Sequence, residues 1–393
     1  MTERSVRDRS LVTRRSWDGD ALQAAFAAAV ANLEAYVDEI NELNVFPVPD
    51  GDTGSNMLAT VGAALDEARR STERSADRVA GAISFGARMG ARGNSGVILS
   101  QILNGMARAI AGKERIDGPD LAQALGVGTE AAYAAVKNPI EGTILTVIRE
   151  AAAAAALSAG RADDIETVLA ATVTAADRAV ASTTDLLPIL REAGVVDSGG
   201  QGLYRLLEGA LQYVVGERQV GAVSTEGRSA AKPASAVAKV DEGYGYETMF
   251  LLQPSPGRGL DIEVIRDRLG AMGDSVLVAG DAQAAKVHIH SERPDEVIAL
   301  GLGLGKLSRI TVENLDEQVR DVHEVRAAQF TAPTPGGDSV VDLRVVRPAA
   351  AVASARNGTR PKATAAQTGR TTFAPGVRAG ERRSLAVVVV AAG

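Results

Sequence analysis

Amphipathic helical stripes, broken at intervals by glycine-rich loops, constrain this chain more than any other feature. From Ala21 to Leu43 apolar residues recur at Leu22, Phe26, Val30, Leu33, Val37 and Ile40, which is one face of a helix with 3.6 residues per turn. Runs of the same kind follow at Leu58–Ala68, Val97–Ile110, Leu121–Val136, Ile144–Leu157, Ile165–Ala181 and Leu203–Val215. Alternating, strand-like segments are scarce before about residue 245. The first 215 or so residues are therefore expected to form a helical bundle.

At 393 residues the chain is too long for one small core, so it is expected to be multidomain. Aromatic residues make up only 3% of it, which leaves alanine, valine and leucine to do most of the packing. A formal net charge of −7 gives no support to a nucleic-acid surface, where a basic face is expected. The absence of cysteine excludes disulfides, thiolate zinc sites and cysteine nucleophiles, and fits a reducing compartment. The N-terminal twenty residues are charged and lack the apolar centre of a secretory signal. No run of about 18 apolar residues is free of charge or glycine, so no transmembrane segment is expected. These features point to a cytoplasmic protein.

The texture changes after Val215. The small, polar stretch Ser224–Val240 reads as a linker, placed at 219–240. Then "YGYETMFLLQ", "SVLVAGD" and "AKVHIHSE" read as strands, and "DIEVIRDRLGAMG" and "RPDEVIALGLGLG" as helices, which makes a small α+β domain over 241–325. "GLGLGKLS" (Gly301–Ser308) looks superficially like a phosphate-binding loop. Its lysine is followed by Leu307 rather than Ser or Thr, so it reads as a helix end and turn. Proline, glycine, alanine and arginine without periodicity mark 331–383 as a disordered linker. The segment 384–393 carries one buried-type strand, Leu385–Val390. It either docks back on the α+β domain or, as we favour, opens a further, truncated domain.

Four loops carry the chemistry: "PDGDTGSNM", "GARGNSGVILSQIL", "NPIEGTILTVIREAA" and "GVVDSGGQGLYRLLEGAL". Each places glycine with Thr, Ser or Asn immediately before a helix. Helix capping alone explains any one of them. Their recurrence about every 40–55 residues, roughly the span of two helices with connections, brings the chain back to the same end of a bundle. Four helix N-termini meeting there would offer free N–H groups and partial positive charge, which suit phosphate. Asp50 and Asp52, at i and i+2, can point the same way, and two carboxylates beside a phosphate need a cation between them. Mg²⁺ favours one or two carboxylates together with phosphate oxygens. Asn44 can add an oxygen ligand or orient one. The constellation reads as a Mg²⁺–nucleotide site.

These motifs, in this order, resemble the nucleotide-binding domain of bacterial fatty acid kinase, itself similar to the ADP-binding L subunit of dihydroxyacetone kinase. The later "YGYETMFLL", "GDSVLVAGD", "KVHIHSERP" and "GKLSRITVENLDEQ" resemble the middle domain of the same kinase, and the likeness spans about residues 18–325. The resemblance implies an all-α, L-subunit-like helical barrel over 18–218 whose loops at one end hold ATP and Mg²⁺. It makes Asp50 and Asp52 the metal carboxylates, with Asn44 the nearest candidate for a third metal-site residue. Thr53, Gly54, Asn56, Gly93, Asn94 and Ser95 match phosphate-loop positions. Thr143 falls in the third motif, and Asp197, Gly199 and Gly200 match a loop near the nucleotide. Arg92 either neutralises phosphate charge or makes a structural ion pair. The implied reaction carries a phosphoryl group from ATP to a fatty acid presented by a separate fatty-acid-binding carrier protein, and the implied assembly is a homodimer.

The sequence departs from the family where Glu247 stands in place of a frequent cysteine. His288 and His290, at i and i+2 of a strand, share a face and could hold Zn²⁺ with Glu247. They could equally be packed strand histidines. The family's C-terminal domain would begin near "LAVVVVAAG", so this chain is expected to bind ATP yet transfer phosphate poorly or not at all. Two alternatives stand beside the fatty acid kinase reading: a dihydroxyacetone-kinase-like enzyme acting on a small hydroxyl compound, and a non-catalytic nucleotide-binding regulatory module.

Overall fold

The computed structural model describes residues 15–216 and 243–331. The linker expected at 219–240, the one expected at 331–383 apart from Thr331, and the strand expected at 384–393 lie outside the described residues.

The first part is helical: α1 (Gly19–Ala35), α2 (Val37–Glu42), α3 (Thr53–Arg70), α4 (Ala76–Gly90), α5 (Gly93–Ala109), α6 (Gly118–Ala135), α7 (Ile144–Ala159), α8 (Ile165–Leu186), α9 (Pro188–Ala193) and α10 (Ser198–Val215). Asp18, Thr143, Asp164 and Asp197 cap α1, α7, α8 and α10 by accepting first-turn N–H groups, which is the usual remedy for unpaired helix donors. A reciprocal Asp117–Asp120 box starts α6. Each of the longer helices from α3 to α8 packs on the next, and α10 packs on α1, α7 and α8. The helices thereby close into a ring around buried Leu33, Met57, Leu99, Ile102, Leu125 and Ile148.

Two details differ from the sequence reading. The stripe over Ala21–Leu43 is divided between α1 and α2 at Tyr36, whose ring lies 3.6 Å from the Arg205 guanidinium. Helix α4 has no counterpart among the expected helices. Its buried face is Ala76, Val79, Ala80, Ile83, Ser84, Gly86 and Ala87, mostly small residues that make no leucine stripe. A Cβ on Gly86 would stand 2.5 Å from the Ala63 carbonyl oxygen of α3, so the two helices touch almost backbone to backbone.

The second part runs β1 (Tyr246–Pro254), α11 (Ile262–Leu269), β2 (Asp274–Gly280), β3 (Ala285–Ser291), α12 (Pro294–Leu304), β4 (Gly305–Asn314) and α13 (Leu315–Thr331). The strand order is β2-β3-β1-β4, with every neighbour antiparallel, the split β-α-β-β-α-β arrangement of ferredoxin-like folds. Strand β4 is a correction. Gly301–Ser308 does end a helix, at Leu304, but the chain passes directly into a strand rather than a turn.

Period-2 alternation divides the sheet. Phe250, Leu252, Val276, Val278, Val287 and Ile289 pack with Ile265, Leu269 and Val297 of α11 and α12. Glu247, Met249, Lys286, His288 and His290 alternate with those residues on β1 and β3, on the opposite face. On β2 that face presents Leu277 and Ala279, which pack on Ala91, Val97, Ile98 and Val136 of the helical part. Val136 also pairs with Leu277 as an antiparallel bridge. Leu315 and Val319 of α13 bury Val48, two residues before the first aspartate. The sheet thus sits on the helical ring at its loop end.

Candidate metal and nucleotide site

The four helix N-termini expected at one end do meet. Ser198 at the start of α10 donates its hydroxyl to Thr53 Oγ1 at the start of α3, at 3.2 Å. Gly93, with φ +56°, opens α5 against Asn56, and a Cβ there would stand 2.3 Å from Asn56 Nδ2. Only glycine satisfies both the backbone and the space. Arg92 N–H donates to Thr60 Oγ1 of α3 at 3.3 Å. Asp197 accepts the N–H of Gly200 at 2.6 Å and that of Ile144, which joins α10 to α7. Burial pushes the Asp197 carboxyl up to about 7, although both amides oppose the shift.

Asp50 and Asp52 lie in a small pocket between α3 and the sheet. Gly51 between them has φ +72° and makes the turn that lets both carboxylates face inward. Asn44 is buried and donates Nδ2–H to Asp50 Oδ1 at 2.6 Å; Asn56 donates Nδ2–H to Asp52 Oδ2 at 2.7 Å. Of the two roles open to Asn44, ligand or orienter, this bond realises the orienting one. Burial, and then the charge of Asp52, push Asp50 up to about 8. Burial also raises Asp52, against hydrogen bonds from Asp50 and Asn56.

The sheet contributes the other wall. Glu247 and His290 line the same pocket as the two aspartates. Burial raises Glu247, while His290 opposes the shift. Glu247 Oε2 lies 3.7 Å from His288 Nδ1 and 3.8 Å from His290 Nε2. Both nitrogens of fully buried His288, and Nε2 of His290, have no hydrogen-bond partner. Unpaired buried nitrogens are costly. Ligand atoms in a tetrahedral zinc site with bonds of ~2.1 Å stand about 3.4 Å apart, so Glu247, His288 and His290 fit a metal ion. Asp50 and Asp52, held by amide donors and short of positive charge, fit Mg²⁺.

The remaining expected residues sort by position. Thr53, Asn56, Gly93, Asn94 and Ser95 line the carboxylate pocket. Thr143, Asp197 and Gly199 line a second, larger cavity beside it, which shares Asn94 and Ser95. Gly54 and Gly200 line neither, and their N–H groups are already taken by Asn41 and Asp197. Arg92 is exposed at the start of α5 and lines neither cavity. Sequence reasoning does not find Asn41, which binds the first N–H groups of α3, nor Ser198. It also misses Lys286, buried on the sheet face toward the ring. Burial lowers its ammonium to about 8, with repulsion from Arg309 and Arg92 adding to the shift and Glu247 opposing it.

The second cavity measures about 420 Å³ and is mostly apolar, within the ~300–1,000 Å³ usual for small-molecule sites. The two cavities adjoin at Asn94 and Ser95, so the carboxylate pocket opens beside the apolar chamber.

Comparison with known proteins identifies the two parts. Residues 47–212 match the DAK2 domain, and residues 243–322 match the FakA-like middle domain of fatty acid kinases. The chain belongs to the FakA-like fatty acid kinase family of DAK2-domain proteins. It is 38% identical over 313 residues to Protein YloV of Bacillus subtilis, a match spanning 77% of this chain and 56% of that protein. An uncharacterized protein of Staphylococcus haemolyticus is 39% identical over 74% of this chain and 54% of its own length. Another, of Staphylococcus saprophyticus, is 35% identical over 82% and 60%. The chain thus spans little more than half the length of these relatives. Among the described residues no helix is long and apolar enough to cross a membrane.

Proposed function

We propose that this chain is the ATP-binding kinase component that transfers a phosphoryl group to a fatty acid held by a separate carrier protein, giving an acyl phosphate. In this reading it works in the cytoplasm as a homodimer, with ATP and Mg²⁺ as cofactors. The observation that carries it is a pocket that joins Asp50 and Asp52 to the first turns of α3 and α5, next to a mostly apolar chamber lined by the starts of α7 and α10.

The reaction asks little covalent chemistry of the protein. A carboxylate oxygen of the acceptor attacks the γ-phosphorus, the bond from that phosphorus to the bridging oxygen breaks, and ADP leaves. The acceptor is already ionised, so no base is needed. Catalysis is then positioning and charge stabilisation. Asp50 and Asp52 would hold Mg²⁺, and Asn44 and Asn56 fix the directions of their carboxylates. Mg²⁺, when bound, neutralises charge on the transferring phosphoryl oxygens. Asn94 and Ser95, in the first turn of α5, line the pocket, and the N–H groups of a helix's first turn suit phosphate oxygens. Glu247, His288 and His290 would hold a second cation, zinc by their donor set. A hydroxyl acceptor, as in dihydroxyacetone kinase, would need its proton removed.

Thermal unfolding with ATP, with and without Mg²⁺, tests the site, because a ligand bound only by the native state raises its stability. A Mg²⁺-dependent rise that disappears in Asp50→Asn/Asp52→Asn supports the reading. The same rise in the double variant would refute it. ATP consumption with a carrier-bound fatty acid, compared with free dihydroxyacetone, then separates the two acceptors. Binding without turnover on either would favour a regulatory module.

A further inference from the structure

The larger cavity has walls of different origin. One is helical and includes Ile98 of α5 and Ile144 and Leu145 at the start of α7. The other is the first half of β2, Asp274–Leu277, from the sheet. That half-strand is irregular. Its register with β3 passes from Asp274↔His290 to Leu277↔His288, so two residues of β2 stand where β3 has one. Within this bulge Ser275 takes φ +52°, a left-handed conformation that residues other than glycine rarely adopt. Bulges re-aim side chains beside functional sites, and strain of this kind gathers where a ligand is gripped.

The wall is held on both flanks. Val136 pairs with Leu277. Lys137 lies 3.8 Å from Asp267 of α11 and packs against Gly270. Lys137, Asn138, Asp274 and Ser275 set polar groups on a chamber that is otherwise mostly apolar. A nucleobase has that distribution: two apolar faces and a polar edge. The chamber joins the carboxylate pocket through Asn94 and Ser95, where the phosphates of the proposed nucleotide would lie.

We propose that the β2 bulge is the nucleobase wall of this protein, with the base between β2 and the first turn of α7 and its polar edge toward Asp274 and Ser275. This rests on the nucleotide reading above and adds that the helical ring reads the phosphates while the sheet reads the base.

The test uses the whole chain with Mg²⁺ and two ligands, ATP and inorganic tripolyphosphate, which has the phosphates without the base. By calorimetry the unmodified chain binds ATP at least ~10-fold more tightly than tripolyphosphate. Ser275→Trp, which fills the chamber, brings ATP down to the tripolyphosphate level and leaves tripolyphosphate itself within ~2-fold. Because tryptophan is strained at a left-handed position, hydrogen exchange on the unmodified chain is measured as well: ATP slows the Ser275–Leu277 amides more than tripolyphosphate does. A folded Ser275→Trp variant that binds ATP as well as the parent overturns the assignment, as does equal protection of β2 by the two ligands. If neither ligand binds the unmodified chain, the nucleotide reading itself fails and the base wall with it.

Discussion

Asp50 shows how the pocket stores a demand for a cation. Its folded value is raised to about 8 by burial and by Asp52, far above the ~3.9 of a free aspartate. The native state therefore holds a proton that the unfolded chain releases between about pH 4 and pH 8, and stability without metal falls as pH rises through that window. Asp197, raised to about 7, contributes in the same direction. The metal-free chain should melt several degrees lower at pH 8 than at pH 5.5, and Mg²⁺ should raise the melting temperature more at pH 8. Asp50→Asn should flatten much of the metal-free slope, and a melting temperature that does not vary between the two pH values would contradict this account. Asn44→Ala removes the donor that aims Asp50. A lost outer-shell partner typically costs about 10–100-fold in metal affinity, so magnesium titration should show a loss of that order with little change in helicity.

Among the elements, glycine does different work inside helices than in the loops. Gly105 of α5 faces α6, and a Cβ there would lie 2.4 Å from the Val127 carbonyl oxygen and 2.6 Å from Gly128 Cα. Both obstacles are backbone, so Gly105→Ala must push the helices apart, at ~1–3 kcal/mol by the usual cost of overpacking. Gly126 of α6 has nothing within 4 Å of its would-be Cβ. There Gly126→Ala should stabilise by ~0.5–1 kcal/mol through helix propensity alone. Denaturant melts of the pair test whether close helix approach, rather than glycine content, shapes the ring. The sequence shows both residues in helical runs but cannot say which one touches a neighbour. Helix α4 is hard to read there for a related reason: only Val79 and Ile83 are large on its buried face, and the alanines and Gly86 beside them bury surface only where a neighbouring backbone comes close, which is tertiary. Strand β4 is hidden because Gly305 ends one helix and begins a strand with no turn residues between.

For the whole molecule, the seam between ring and sheet decides whether there is one site or two. Leu277 is buried there against Ala91 and Val97. Leu277→Asp puts an unpaired charge into an apolar seam, which is strongly unfavourable. Limited proteolysis should then release the sheet part from the ring faster, and ATP binding should weaken while both parts keep their secondary structure. An unchanged digestion pattern would show that the seam contributes little.

The sequence alone determined the helical character of the first part, three of the four strands with α11 and α12, the four glycine loops that precede helices and the aspartates flanking Gly51. All of these depend on local periodicity, glycine and capping chemistry, which are written in neighbouring residues. It also placed His288 and His290 on one strand face, because alternation along a strand is local. It had no means of joining them to Asp50 and Asp52. The residues lie about 240 positions apart, and the pocket forms only where Leu277 and Ala279 pack on α5 and Leu315 covers Val48. The raised carboxylates have the same origin, since burial acts on a group only after distant segments have closed over it.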